Sequence, residues 1–282
     1  MKSSNHLLGT LKFKNEFLPI ETLLTSIEHI EKILGKRISL TATKTMVIED
    51  QLLNDIPNLT LTIKNEHNQI HWICVYKQLK FNFIFTISKP IIKIEFYTEK
   101  FNSNTWLQEW VYIFYRLQEY IEYGRIILPK LEYTSFDVKS ISVEVEITNT
   151  CMEIYRRFTE QPFMNQIFSK FPECNLDDFS YSWGWIEEGP SNLISYKKNA
   201  LLIHDFIVDF TPVGYIKWSL TEIAKKQSLL TITHKDLDLE DEINPIKAYF
   251  SYKNGWLYLL AKVKDLAENN YCTINFEKEI ID

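Results

Sequence analysis

Apolar residues recur along the first half of the chain at two spacings, which predict one helix and a run of strands. A strand is predicted over Leu8–Phe13. From Pro19 onward the apolar residues stand three or four positions apart, as on one face of a helix, and Gly35 stands where a helix C-cap is expected. Between residues 37 and 97, short segments rich in β-branched and aromatic residues follow one another at hairpin-like spacing. They predict an antiparallel meander.

A second helix with an aromatic stripe closes the first half. Asn104 is a suitable N-cap, Trp110 and Phe114 fall on one face, and Gly124 follows as a stop signal. The periodicity is lost from Gly124 to Asp137, so we place a domain junction there. Residues 1–130 are assigned to a first α+β domain of unknown role.

The second half begins with a strand, because apolar and polar residues alternate strictly over residues 141–147. Two short helices are predicted after Thr150 and near Pro162. Five further strands are predicted, over Phe179–Ile186, Leu193–Tyr196, Leu201–Phe210, Tyr215–Ile223 and Ser228–Lys235. A long last helix begins near Pro245, and the tail from Tyr271 is short and acidic. The fold class is therefore α+β.

This order of one strand, two helices, a meander and one long helix resembles the START-like (SRPBCC, helix-grip) superfamily. Three stretches carry the resemblance: Ser142–Thr148 with Met152–Thr159, Trp218–Ile223 with Leu229–Leu237, and Asn254–Leu260. They are similar to the opening strand and helix, the final hairpin and the Gly-Trp entry to the last helix in one branch of the superfamily. That branch is related to the C-terminal domain of the heat-shock chaperone ATPase activator.

The resemblance covers about residues 138–268 and implies a helix-grip domain, an antiparallel sheet wrapped on a long C-terminal helix, over residues 138–270. The chain departs from the family at Met164–Phe168, where the family usually has a tryptophan. The first half has a related order of elements, which leaves open a degenerate second helix-grip unit within residues 1–130.

Composition excludes several functional classes. Acidic residues outnumber basic ones by 37 to 31, and the resulting net charge of −6 argues against a nucleic-acid binder. The seven glycines include no pair at the spacing of a dinucleotide-binding turn. The four cysteines, Cys74, Cys151, Cys174 and Cys272, are too scattered for a disulfide framework or a zinc site. With no apolar stretch long enough to span a membrane, we expect a cytoplasmic protein without cofactor or metal.

A long helix laid across a curved sheet can enclose an apolar cavity with a few polar anchors. We expect seven residues to bind a ligand there: Tyr181, Trp183, Tyr196, His204, Trp218, His234 and Trp256. Alternation also places Phe179 and Trp185 on the same strand face as Tyr181 and Trp183. The alternative is a solid aromatic core.

The histidines are the titratable candidates, because a histidine pKa lies near neutrality. His204 and Asp205 are neighbours on one strand, so their side chains point to opposite faces and form no catalytic dyad. His234, near a strand end, is expected at the rim or as a satisfied hydrogen-bond partner. His67 and His71 fall in a predicted hairpin, which argues against a metal site.

These features favour a binding protein for a small hydrophobic molecule held under the C-terminal helix. The alternative is a protein-interaction module, related to the chaperone activators, with a filled core and no ligand. An enzyme such as a cyclase or hydrolase ranks last, because the sequence shows no paired acid and base.

Overall fold

A computed structural model of the 282-residue chain describes thirteen segments. They are residues 5–35, 38–40, 46–48, 59–66, 69–76, 79–98, 104–130, 139–168, 172–183, 191–208, 211–237, 239 and 245–279. The protein is α+β, with two antiparallel sheets and a long C-terminal helix. Two compact units are formed by Met1–Thr134 with Thr273–Asp282, and by Ser135–Cys272. Trp185, His67 and residues 131–137 of the predicted junction lie outside the described residues.

The first unit contains eight strands and three helices within the described segments. They are β1 (Asn5–Lys12), α1 (Ile20–Thr25), α2 (Ile27–Leu34), β2 (Ile38–Leu40), β3 (Met46–Ile48), β4 (Leu59–Glu66), β5 (Gln69–Tyr76), β6 (Leu79–Ser88), β7 (Ile91–Thr98), α3 (Asn104–Tyr123) and β15 (Ile274–Glu279). The strand order is β15-β1-β7-β6-β5-β4-β3-β2. The predicted meander and the aromatic helix from Asn104 are confirmed.

The first predicted helix is two helices, so the single helix expected from Pro19 to Gly35 is wrong. The backbone of Ser26 is extended (φ −84°, ψ 129°), and α1 ends there while α2 begins. Apolar spacing continues across the break because both short helices bury their own apolar face. Gly35 does end α2 in the left-handed conformation (φ 69°), and its N–H donates to the carbonyl of Glu31.

Helix α3 covers the apolar face of the first sheet. The ring centroid of Trp110 lies 4.5 Å from that of Phe83, and the ring of Phe114 lies 5.5 Å from the same phenylalanine. Trp72 on β5 is buried in this core, and its indole N–H donates to the carbonyl of Leu24 at 2.9 Å. Aromatic burial against one helix therefore holds the first sheet together.

The last strand of the chain belongs to the first unit. We expected only a short acidic tail after Tyr271, yet β15 pairs antiparallel with β1, with Leu8 opposite Glu277. The entry to β15 is anchored by buried groups: the hydroxyl of Thr273 donates to Gln118 on α3 at 2.8 Å. The first sheet is thus completed by residues that follow the whole second unit in sequence.

The second unit has the elements that its alternation predicts, plus one short strand. They are β8 (Ser140–Ile147), α4 (Cys151–Arg157), α5 (Gln161–Ile167), β9 (Glu173–Asn175), β10 (Ser180–Ser182), β11 (Ser191–Lys197), β12 (Leu201–Val208), β13 (Thr211–Ala224), β14 (Gln227–Lys235) and α6 (Pro245–Asn269). The strand order is β8-β14-β13-β12-β11-β10-β9. The hydroxyl of Thr150 caps α4 by accepting from the N–H of Glu153, as a cap residue should.

The two units have the same order of elements. Each begins with a strand, continues with two short helices and six strands, and then forms one long helix. In each sheet the first strand pairs with the last strand of the meander, β1 with β7 and β8 with β14. Breaking the first predicted helix into α1 and α2 is what makes the two orders match.

Within the described segments, no helix is both long enough and apolar enough to cross a membrane.

We predict that deleting residues 273–282 destabilises the first unit. The deletion removes the strand paired with β1 and the buried side chain of Ile274, whose burial alone contributes about 2 kcal/mol. Amide hydrogen exchange measured by mass spectrometry should become faster in β1 and β7, and a chain ending at residue 279 is the control. Faster exchange confined to residues 135–272 would contradict this assignment of β15.

Candidate functional site

The face of the second sheet that lies against α6 is built by strand register. Trp218 on β13 lies between Leu202 on β12 and Ile232 on β14. One pair of residues further along, Ile216 lies between His204 and His234. Side chains of directly paired residues share a face, so the tryptophan and both histidines point the same way.

Six of the seven predicted ligand-binding residues gather in one buried aromatic cluster beneath α6. They are Tyr181, Trp183, His204, Trp218, His234 and Trp256, all at most 3% exposed. Their rings are in mutual contact, with centroids of Tyr181 and His204 at 4.6 Å and of Trp183 and Trp256 at 5.7 Å. The structure brings these residues together but contains no ligand that would assign them a role.

Tyr196 lies at the margin of this cluster. It pairs with Leu202 on the same face but is only half-buried, and its ring contacts Phe179 at 6.0 Å. Phe179 itself was expected to share the face of Tyr181, and this expectation is wrong because the phenylalanine is 52% exposed. Its φ of 52° places it in a turn before β10, where strand alternation has not yet begun.

Trp218 is the centre of the packed part of the cluster. Its side chain is fully buried and stacks on Phe158, the residue that follows α4, with centroids 4.8 Å apart and planes 22° apart. Its indole N–H donates to Nε2 of His204 at 3.2 Å. Both the apolar surface and the single polar atom of this tryptophan are therefore satisfied.

His204 is a fully satisfied core histidine. Its Nδ1 lies 2.6 Å from the carbonyl of Asp205, so Nδ1 carries the proton and Nε2 accepts from Trp218. Burial lowers the pKa of His204 to about 3, against the opposing effect of the backbone hydrogen bond. The carboxylate of Asp205 accepts from Asn192 instead, which confirms that the two neighbours form no dyad.

His234 is also buried, but only one of its nitrogens is paired. Nε2 donates to the carbonyl of Val213 at 2.7 Å, whereas Nδ1 has no hydrogen-bond partner among the described residues. Of the two alternatives expected for His234, the position at the rim is wrong, because the side chain is fully buried under α6. The alternative of a hydrogen-bonded histidine holds for Nε2 only. Burial lowers the pKa of His234 to about 4, so the ring is neutral at pH 7 and Nδ1 presents a lone pair.

Trp256 closes the cluster from α6. Its ring lies 5.2 Å from Phe206 and 5.5 Å from His234. The indole N–H is buried and, within the part of the chain that the structure describes, finds no acceptor. A donor and an acceptor without partners among the described residues therefore lie on adjacent rings, surrounded by aromatic side chains.

Two further residues of the cluster were not identified from the sequence. Phe206 contacts Trp183, His234 and Trp256, and Tyr252 contacts Phe206 and His234. Phe206 is two residues after His204 on the same strand, and Tyr252 is four residues before Trp256 on the same helix. Both could have been identified from the sequence. The strand face that carries His204 continues two residues on at Phe206, and the helix face that carries Trp256 includes Tyr252 one turn earlier.

No group of three or more metal-ligating side chains occurs within the described segments. The four cysteines are free thiols. Burial raises the pKa of Cys174 to about 11 and that of Cys272 to about 11, so both are protonated near pH 7.

Comparison with known proteins does not establish a family. No family model matches the chain, and no curated protein matches it. Similar solved structures include the Aha1 dimer from Colwellia psychrerythraea, at 14% identity and a TM-score of 0.36, covering 46% of this chain and 96% of that one. An HSP90 activator from Plasmodium falciparum is 12% identical over 42% of this chain and 87% of its own, with a TM-score of 0.36.

DynU16, a protein of the dynemicin biosynthetic locus, is 11% identical and has a TM-score of 0.34. It covers 93% of this chain and 98% of its own. Structural neighbours thus include activators of the kind expected from the sequence, at low identity. The family itself stays a prediction.

We predict that Trp218→Ala lowers the free energy of unfolding by about 3–5 kcal/mol, because it removes a fully buried ring stacked on Phe158. Trp218→Phe keeps a ring and loses the bond to His204, so its cost should be smaller, about 1–3 kcal/mol. Urea unfolding followed by circular dichroism measures both. A cost below about 1 kcal/mol for the alanine variant would show that Trp218 is not packed core.

We predict that acid destabilises the second unit before its carboxylates titrate. Both histidines have pKa values in the fold that are lowered to about 3 and about 4. The unfolded chain has histidine pKa values near about 6.5, so it takes up two protons as the pH falls from about 6.5 while the fold takes up none. Stability is therefore fully present above that pH and is lost below it.

The expected slope from these two protons is up to about 2.7 kcal/mol per pH unit between about pH 6 and pH 5. Urea unfolding across this range measures it, and His204→Gln should reduce the slope by about half. An unchanged slope in that variant would show that His204 is not buried as a neutral group.

Proposed function

We propose that the second unit binds a small, largely apolar molecule beneath α6, beside Trp256 and His234. One observation carries the proposal: the indole N–H of Trp256 and Nδ1 of His234 are both buried and lack partners among the described residues. Their ring centroids are 5.5 Å apart. A ligand held there would supply the missing hydrogen-bond partners.

The energetic argument rests on the cost of burying polar groups. An unsatisfied buried donor or acceptor costs about 1–3 kcal/mol, so folded proteins pair nearly all of them. Two fully buried tryptophans of this chain are paired: Trp72 donates to the carbonyl of Leu24, and Trp218 donates to His204. The indole N–H of Trp256 has no such acceptor among the described residues, which favours a site that a ligand completes.

The surroundings of the two groups favour an apolar ligand body. Phe206 and Tyr252 are in ring contact with His234, and Phe206 also contacts Trp256. Aromatic walls with a few polar anchors are typical of small-molecule sites. The arrangement of a meander and one long helix agrees with the helix-grip domain expected from the sequence.

The shared order of elements supports a further part of this proposal, that the first unit is a second, degenerate helix-grip unit. Its aromatic core between α3 and the sheet is closely packed, with Trp110 against Phe83 at 4.5 Å. We assign ligand binding to the second unit only.

The alternative is a protein-interaction module with a filled core. The packing of Trp218 favours it, because this fully buried side chain stacks on Phe158 and contacts Phe168 at 6.3 Å. The two alternatives are compatible if Trp218 on β13 forms the packed part of the core and the ligand lies beside Trp256 on α6.

We predict that the intact protein binds the uncharged apolar dye N-phenyl-1-naphthylamine at one saturable site. Energy transfer from tryptophan to the dye should fall in Trp256→Phe, because that indole lies at the site. Trp110→Phe is the matched control, since Trp110 is buried on the long helix of the first unit and should leave the transfer unchanged.

Fluorescence titration measures stoichiometry and transfer together. Absence of saturable binding would overturn the proposal and favour the interaction module. Equal losses of transfer in the two variants would place the dye away from Trp256 and overturn the assignment to the second unit.

A further inference from the structure

We propose that the ligand carries an uncharged hydroxyl group that binds between Trp256 and His234. This inference rests on the proposed function and names the chemical class of the ligand: an alcohol or phenol on an apolar body, and not a carboxylic acid or an amine.

The first step is the proton inventory of the two rings. The carbonyl of Val213 can only accept, so Nε2 of His234 carries the ring proton and Nδ1 can only accept. The indole nitrogen of Trp256 can only donate. A single partner that serves both rings has to donate to Nδ1 of His234 and accept from the indole N–H of Trp256. A hydroxyl does both with a single oxygen atom, whereas an ether or ketone only accepts.

The second step concerns charge. The side chains in ring contact with His234 are aromatic and uncharged: Phe206, Tyr252 and Trp256. A carboxylate would lose its hydration without gaining a cation, and its oxygens would face the lone pair on Nδ1. An ammonium group could donate to His234 but could not accept from Trp256. The site therefore selects a neutral group.

The third step concerns the body of the ligand. Rings of Trp183 and Phe206 lie 5.7 and 5.2 Å from that of Trp256, and they meet it edge to face. Aromatic rings pack well against such walls in offset or edge-to-face arrangements. A hydroxyl on a planar ring system satisfies both the polar pair and the aromatic walls.

Four probes with the same ring system test the inference on the intact protein: 2-naphthol, 2-methoxynaphthalene, naphthalene and 2-naphthoate. Affinities are measured by displacement of N-phenyl-1-naphthylamine. We expect 2-naphthol to bind at least about tenfold more tightly than naphthalene, which corresponds to about one hydrogen-bond pair. The methoxy probe accepts but cannot donate, so it should lie between the two. The naphthoate should bind no more tightly than naphthalene.

The variant Trp256→Phe removes the donor and should reduce the preference for 2-naphthol over naphthalene to less than about threefold. Trp110→Phe, in the first unit, should keep the full preference. The methoxy probe tests the role of His234 without any mutation, so the inference stays open to refutation if the tryptophan variant fails to fold.

The outcomes separate this inference from the proposed function. If naphthalene and 2-naphthol displace the dye equally well, the hydroxyl inference is overturned while the apolar site stands. A preference that survives in Trp256→Phe, or tighter binding of the naphthoate, also overturns it. If neither the dye nor any probe binds, the proposed function itself is wrong.

Discussion

Each antiparallel sheet of this protein has one strongly apolar face, and one long helix has to cover it. Helix α3 does so in the first unit through Trp110 and Phe114, and α6 does so in the second through Trp256. The twist of a sheet makes this face concave, so a single straight helix meets it closely over only part of its length.

In the second unit the constraint produces two different environments along one sheet face. Near Trp218, Phe158 at the end of the short helix α4 stacks on the indole ring, and the indole N–H donates to His204. Near His234, Tyr252 and Trp256 of α6 contact the strands, and a donor and an acceptor lack partners among the described residues. The same residue types thus have all their hydrogen bonds at one end and, in the function we propose, would meet a ligand at the other. His204 and His234 are both buried and neutral. They differ in that His204 also accepts a hydrogen bond from Trp218, whereas Nδ1 of His234 has no partner among the described residues.

The spacing of apolar and polar residues predicted most helices and strands, because this pattern depends only on residues that are close in sequence. It predicted the end of α2 at Gly35 and the grouping of Trp183 and Trp218 on the sheet with Trp256 of the last helix. It could not reveal the break at Ser26, since the apolar spacing is the same on both sides. The burial of His234 could not be predicted in this way either, because alternation shows which face of a strand a side chain is on and not which element covers that face. The pairing of β15 with β1 could not be predicted from local patterns, because the two strands lie at opposite ends of the sequence.

The return of β15 to the first sheet has a consequence for biosynthesis. A ribosome makes the whole of Ser135–Cys272 after β1 and before the strand that pairs with it. At roughly 5–20 residues per second, the outer edge of β1 waits on the order of 10 seconds without that neighbour. An unpaired strand edge is a template for pairing with other chains. The nascent chain is therefore most prone to association with its neighbours on the polysome during translation of the second unit, and a slower ribosome would prolong that interval.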